Sequence, residues 1–131
     1  MDDEIFKISV NLIRAKSLVE MALERFGDIK GEKKPYKIIE EYYEIIKELI
    51  TALMYSEGLK TLSHKALIRY LDENYKEFDR GEIILTDELR KLRNDITYYG
   101  KRVSEEFLIN NEEKIRNVIK KLTEIAEKKC K

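Results

Sequence analysis

Glutamine and tryptophan are absent from this chain, and cysteine, proline and histidine each occur once, at Cys130, Pro35 and His64. A single cysteine cannot close an internal disulfide. At the penultimate position it reads as an exposed thiol suited to a reducing compartment. One histidine excludes any site built from several imidazoles, and no paired-cysteine spacing suggests a metal. No run of about 18 apolar residues is present, so nothing is expected to span a membrane. The chain starts Met-Asp-Asp-Glu, the opposite of the basic start of a signal peptide. Charge of one sign is also missing, since 26 basic residues face 26 acidic ones. Attraction to a polyanion must therefore come from a local patch rather than from the whole molecule. Nor is there a glycine-rich phosphate loop or a nucleophile elbow. These absences describe a cytoplasmic, non-membrane protein with no bound metal or cofactor. The missing glutamine, with Lys, Glu and Ile abundant, fits a thermophilic origin.

What is present is 131 residues, 43% hydrophobic and 40% charged, enough for one domain (1–131) with a buried core. Apolar residues recur at three- and four-residue steps, which predicts an all-α fold: an up-and-down antiparallel bundle of about five helices. The first helix is predicted from about Asp3 to Phe26, with Ile5, Ile8, Leu12, Ala15, Val19, Ala22 and Phe26 on its stripe and Gly27 just past its end. A polar loop follows to Lys34, and Pro35 opens the second helix. Doubled apolar positions (Ile38/Ile39, Tyr42/Tyr43, Ile45/Ile46, Leu49/Ile50, Ala52/Leu53) predict that this helix is central and the most buried, with Gly58 ending it. Ser63 is predicted to cap a third helix that faces inward through Ala66, Leu67, Tyr70 and Leu71. From Asn74 to Leu85 the pattern dissolves and predicts a long irregular connection. Thr86 is expected to cap a fourth helix with Leu89, Leu92, Ile96 and Tyr99 buried and Gly100 as its stop. The last helix is signalled by Asn111, Glu112 and Glu113 before Ile115, Val118, Ile119, Leu122, Ile125 and Ala126. Ser104 to Ile109 is read as an earlier turn leading into it.

Surface helices are usually covered in Lys and Glu. The segment Leu92-Arg93-Asn94-Asp95-Ile96-Thr97-Tyr98-Tyr99-Gly100 is different. A guanidinium can grip a phosphate bidentately, an amide or carboxylate can orient a hydroxyl or water, and a phenol can stack on a base. Arg93, Asn94, Asp95, Tyr98 and Tyr99 are therefore candidate ligand-binding residues, and Lys101 and Arg102 extend the same anion site. The bland alternative is an Arg–Asp surface pair followed by two tyrosines completing a core. His64, at a predicted helix start, is either a structural histidine or a catalytic group that needs a partner from helix four.

The segment Ser63-His64-Lys65-Ala66-Leu67-Ile68-Arg69-Tyr70-Leu71, followed by Leu92 to Gly100, resembles the HEPN superfamily, and in particular its small stand-alone archaeal members. The resemblance covers nearly the whole chain. It implies a bundle of four to five helices, commonly a homodimer whose motif helices meet at a cleft. Many members are metal-independent ribonucleases, including toxins encoded beside a minimal nucleotidyltransferase. Their motif is an arginine, four to six residues, then a histidine. Arg93 occupies the arginine position and Asn94 the polar position after it, while the histidine position falls on Tyr98. A phenol with a reference pKa near 10 is a poor base at neutral pH. The resemblance thus implies a homodimeric module that binds RNA, a nucleotide or a protein partner with weak or no catalysis. Two alternatives stand beside it: a ribonuclease toxin using Arg93 with Tyr98 or His64 as catalytic residues, and a pure interaction module.

Overall fold

The structure, a computed structural model, describes residues 4–130. Its core is one long helix wrapped by four others. α1 (Leu12–Asp28) leads through a 3₁₀ turn (Ile29–Gly31) into α2 (Pro35–Ser56), which is followed by α3 (His64–Asn74), α4 (Arg80–Tyr99) and α5 (Glu105–Lys129). α2 packs against α1, α3, α4 and α5. That central place follows from its doubled apolar positions: Ile39, Tyr42, Ile45, Leu49, Ala52 and Leu53 are fully buried, and Tyr43, Ile46, Ile50 and Met54 nearly so. An amphipathic helix with one stripe covers one neighbour, whereas two adjacent stripes can meet several. Pro35 stands at the first helical position, where its missing N–H costs no hydrogen bond.

The N-terminal segment departs from expectation. Residues Ile5–Lys7 form a short strand, β1, rather than the start of α1. It pairs antiparallel with β2 (Leu59–Thr61), matching Ile5 with Thr61 and Lys7 with Leu59. Ile5 and Ile8 therefore do not lie on the helical stripe, although Ala15, Val19 and Ala22 do and are buried. α1 begins where Asn11 can cap it, its side chain accepting the Arg14 N–H at 3.0 Å. Asp3, where this helix is expected to begin, lies outside the described residues, and the first turn of α1 holds no acidic side chain. Gly27 lies inside the last turn instead of beyond it.

Four further expectations are corrected. The irregular connection is only Tyr75 to Asp79, because Asp79 caps α4 in a reciprocal capping box with Glu82. Thr86 is consequently not a cap: it is buried one turn further in, its hydroxyl donating to the Glu82 carbonyl at 2.9 Å. Ser104 to Ile109 is no separate turn but the beginning of a continuous α5. Cys130 is buried, not exposed, since it lies four residues past buried Ala126 and turns back onto the α1 side near Lys16 and Val19. Burial pushes its thiol above the usual cysteine range.

The far end of the bundle is pinned by Glu57. Its carboxylate accepts from the Tyr70 hydroxyl and from Lys129 Nζ at 2.9 Å, so the tips of α2, α3 and α5 share one anion. Among the described residues, no helix is long and apolar enough to cross a membrane.

Candidate functional site

Arg93 lies on α4 at the edge of the surface that faces α2. Its guanidinium carbon stands 6.0 Å from the centre of the Tyr43 ring, and Nη1 reaches the Asn94 amide oxygen at 3.4 Å. No carboxylate lies within ion-pair distance of it among the described residues, which sets it apart from its neighbours. Arg90, one turn earlier and 8% exposed, donates to Asp87 at 2.8 Å, and Lys91 reaches the same carboxylate at 3.4 Å. Burial raises the affinity of Asp87 for a proton, but the hydrogen bond and charge of Arg90, with Lys91, outweigh it and hold the carboxyl below its usual range. On α2, Lys47 is paired to Glu44 at 2.7 Å.

Tyr43 is the floor of this corner. Burial drives its phenol well above the ordinary tyrosine range, although Arg90 and Arg93 oppose the shift. It therefore stays protonated and serves as a neutral aromatic surface. On that same ring stands His64, centroid to centroid 5.7 Å with the planes tilted by 38°. The position of His64 is set locally. Ser63 caps α3 by accepting the Ala66 N–H at 3.1 Å, and Thr61, at the end of β2, accepts the Ser63 N–H at 3.1 Å. Thr61 in turn donates to the Glu4 carbonyl at 2.7 Å. The small sheet thus anchors the turn that aims His64 at Tyr43. Burial, then Lys47 and Arg93, hold the imidazole below its usual pKa; Glu44 pulls the other way. Its place at the positive end of α3 adds to the same effect.

The candidate residues separate into two groups. His64 and Arg93 come together over Tyr43, although they lie on different helices. Tyr98 and Tyr99 do not join them. Five residues along a helix correspond to about 7.5 Å of rise and about 140° of rotation, which turns Tyr98 away from the Arg93 edge. Tyr98 is 68% and Tyr99 82% exposed, so Tyr99 does not complete the buried line expected for it. Asn94 and Asp95 are half-buried beside Arg93, and Asp95 draws Lys101 to 3.8 Å. Lys101 and Arg102 follow the left-handed Gly100 stop and line a separate hollow of about 190 Å³ with Tyr36 and Ile96. Two exposed phenols and two cations therefore stand at the C-terminal end of α4, beyond the Arg93 corner.

Tyr43, Lys47, Asp87 and Arg90 were not apparent as site residues. Asp87, Arg90 and Arg93 recur at three-residue steps, a spacing that places them along one side of α4. Tyr43 sits inside an apolar stripe and is indistinguishable there from a core tyrosine. Among the described residues no group of three or more His, Cys, Asp or Glu could hold a metal ion. The arrangement supplies a fixed cation, a neutral imidazole and an aromatic floor. These can hold and orient an anion. No protein-family model matches the chain, and no curated protein matches it.

Proposed function

We propose that this chain is a HEPN-like homodimeric module that binds RNA or nucleotides through phosphate contacts centred on Arg93, with weak or no catalysis. One observation carries the reading. Arg93 is a half-buried guanidinium laid against Tyr43 with no carboxylate partner among the described residues, while the neighbouring Arg90 and Lys47 are each paired. A guanidinium held in place by an aromatic ring and left without a counter-ion is ready for a planar, bidentate anion. The exposed Tyr98 and Tyr99, followed by Lys101 and Arg102, suit stacking and backbone contacts with a single strand. The weak-catalysis part follows from the placement of Tyr98: it is turned away from Arg93 and cannot serve as its base within one protomer.

Fluorescence anisotropy with a labelled single-stranded RNA tests this reading. Arg93→Ala is expected to weaken binding by about 1.5–3 kcal/mol, the scale of a hydrogen bond to a charged group. The salt slope should also become shallower by about 0.7 per lost phosphate contact. Equal affinity of wild type and Arg93→Ala would remove Arg93 from the site. Metal-free RNA cleavage that disappears in His64→Ala would replace the binding reading with a ribonuclease one.

The homodimer is checked by light scattering at micromolar concentration, where the expected mass is twice the 15.6 kDa of the chain. A mass of one chain would rule the dimer out and leave the Arg93 prediction standing.

A further inference from the structure

His64 is the sole histidine of the chain and shares the Tyr43 ring with Arg93, yet phosphate binding by Arg93 does not by itself require it. The imidazole centroid lies 5.7 Å and the guanidinium carbon 6.0 Å from one ring centre. Both groups therefore stand at one ring, on the scale of the roughly 8 Å that a phosphate with a hydrogen bond on either side spans. We infer that a phosphomonoester, the terminal phosphate of a nucleotide or of an RNA end, seats between Arg93 and His64 over Tyr43, and that His64 takes up a proton from solvent as it binds. This rests on the reading of Arg93 as a phosphate ligand.

Charge matching selects the monoester. The groups facing His64 are Lys47 and Glu44 on α2 and Arg90 and Arg93 on α4, with Asp87 behind Arg90 and the phenol of Tyr43 uncharged. Two of the three cations are already paired, Arg90 with Asp87 and Lys47 with Glu44, which leaves Arg93 as the uncompensated charge among the described residues. A phosphodiester, carrying one negative charge, is balanced by Arg93 alone. A phosphomonoester carries close to two at neutral pH. The second charge is met when the imidazole becomes an imidazolium, whose two N–H groups both donate. In the free protein burial and the surrounding cations oppose that protonation, and a bound dianion reverses the field.

The sign follows. The free imidazole titrates below its usual value, and the bound one titrates higher. Affinity for the dianion is therefore greatest below the free midpoint, falls as pH rises between the two midpoints, and levels off above the bound one. Because there is one histidine, its ring resonances are unambiguous, and NMR reads the midpoint directly. Saturating adenosine 5′-monophosphate is expected to raise the His64 midpoint by about 0.5 pH or more. A 5′-phosphorylated RNA oligonucleotide should do the same, and its 5′-hydroxyl counterpart should not. Calorimetry in buffers of different ionisation enthalpy should show proton uptake on binding of the phosphomonoester with wild type and none with His64→Gln.

A His64 midpoint unmoved by either phosphomonoester would overturn the inference, as would a shift that survives Arg93→Ala. A shift with the mononucleotide alone would support it and make free nucleotides the source. If the 5′-hydroxyl oligonucleotide binds through Arg93 while both phosphomonoesters leave the midpoint still, the inference falls and the RNA-binding reading stands.

Discussion

Leu49→Ala is expected to lower the free energy of unfolding by about 2–5 kcal/mol, the range for removing a fully enclosed leucine side chain. Leu49 is 0% exposed on α2, the helix against which all four others pack. The vacated volume cannot be filled by movement of a single neighbour, because α1, α4 and α5 are each held elsewhere by their own contacts with α2. Relaxation is then partial, and the cavity adds to the lost transfer energy. Ile109→Ala supplies the contrast. Ile109 is 77% exposed on α5, and its truncation should stay within about 0.5 kcal/mol. Urea denaturation of both variants checks the pair. Similar costs at the two positions would mean that α2 is not the centre of the fold.

The same helix explains why much of the architecture was legible in the residues. Doubled apolar positions, Pro35 at the first helical position, the Ser63 cap and the Gly100 stop are all local signals, each decided within four residues of itself. The errors lie where a distant partner decided. Ile5 and Ile8 fall at a helical spacing, but β1 is stabilised by β2, more than fifty residues away, and nothing near Ile5 announces that pairing. At α4 the cap was misplaced because both Thr86 and Asp79 are good caps. Asp79 prevails by its reciprocal bond with Glu82, while Gly81 in the first turn masked the helix start. Tyr99 was assigned to the core by periodicity alone. Tyr99 stands on the last turn of α4, before the Gly100 stop, and is 82% exposed.

The site shows the same division. Arg93 was readable because its neighbours on the helix are unusual. Tyr43 was not, because a tyrosine beneath a cation and a tyrosine beneath a leucine look alike in a list of residues. The meeting of His64 with Arg93 is a tertiary fact, made by α3 and α4 both resting on α2. Spacing along the chain could not reveal it, and the Arg93-to-Tyr98 spacing pointed in a different direction around α4.

Gly58→Ala should be costly in a way that Gly100→Ala is not, although both glycines have a left-handed backbone, with φ of +72° and +63°. Any side chain in that region is strained by about 1–2 kcal/mol. At Gly100 nothing lies within 4 Å of an added Cβ, so backbone strain is the whole cost. At Gly58 the new Cβ would stand 2.7 Å from the Ile8 carbonyl oxygen, and that oxygen is backbone and cannot rotate aside. Relief requires Ile8 to withdraw, which loosens its N–H···O bond to the Gly58 carbonyl, now 2.8 Å, and with it the β1–β2 pairing. The expected total is about 2–4 kcal/mol, against about 1–2 for Gly100→Ala. The consequence reaches the site, because β2 carries Thr61, which anchors Ser63, which caps the helix that presents His64. Gly58→Ala should therefore also shift the His64 ring resonances in the folded protein, and Gly100→Ala should leave them in place. Equal denaturation midpoints for the two variants, or an unchanged His64 signal in Gly58→Ala, would show that the small sheet does not hold this corner together.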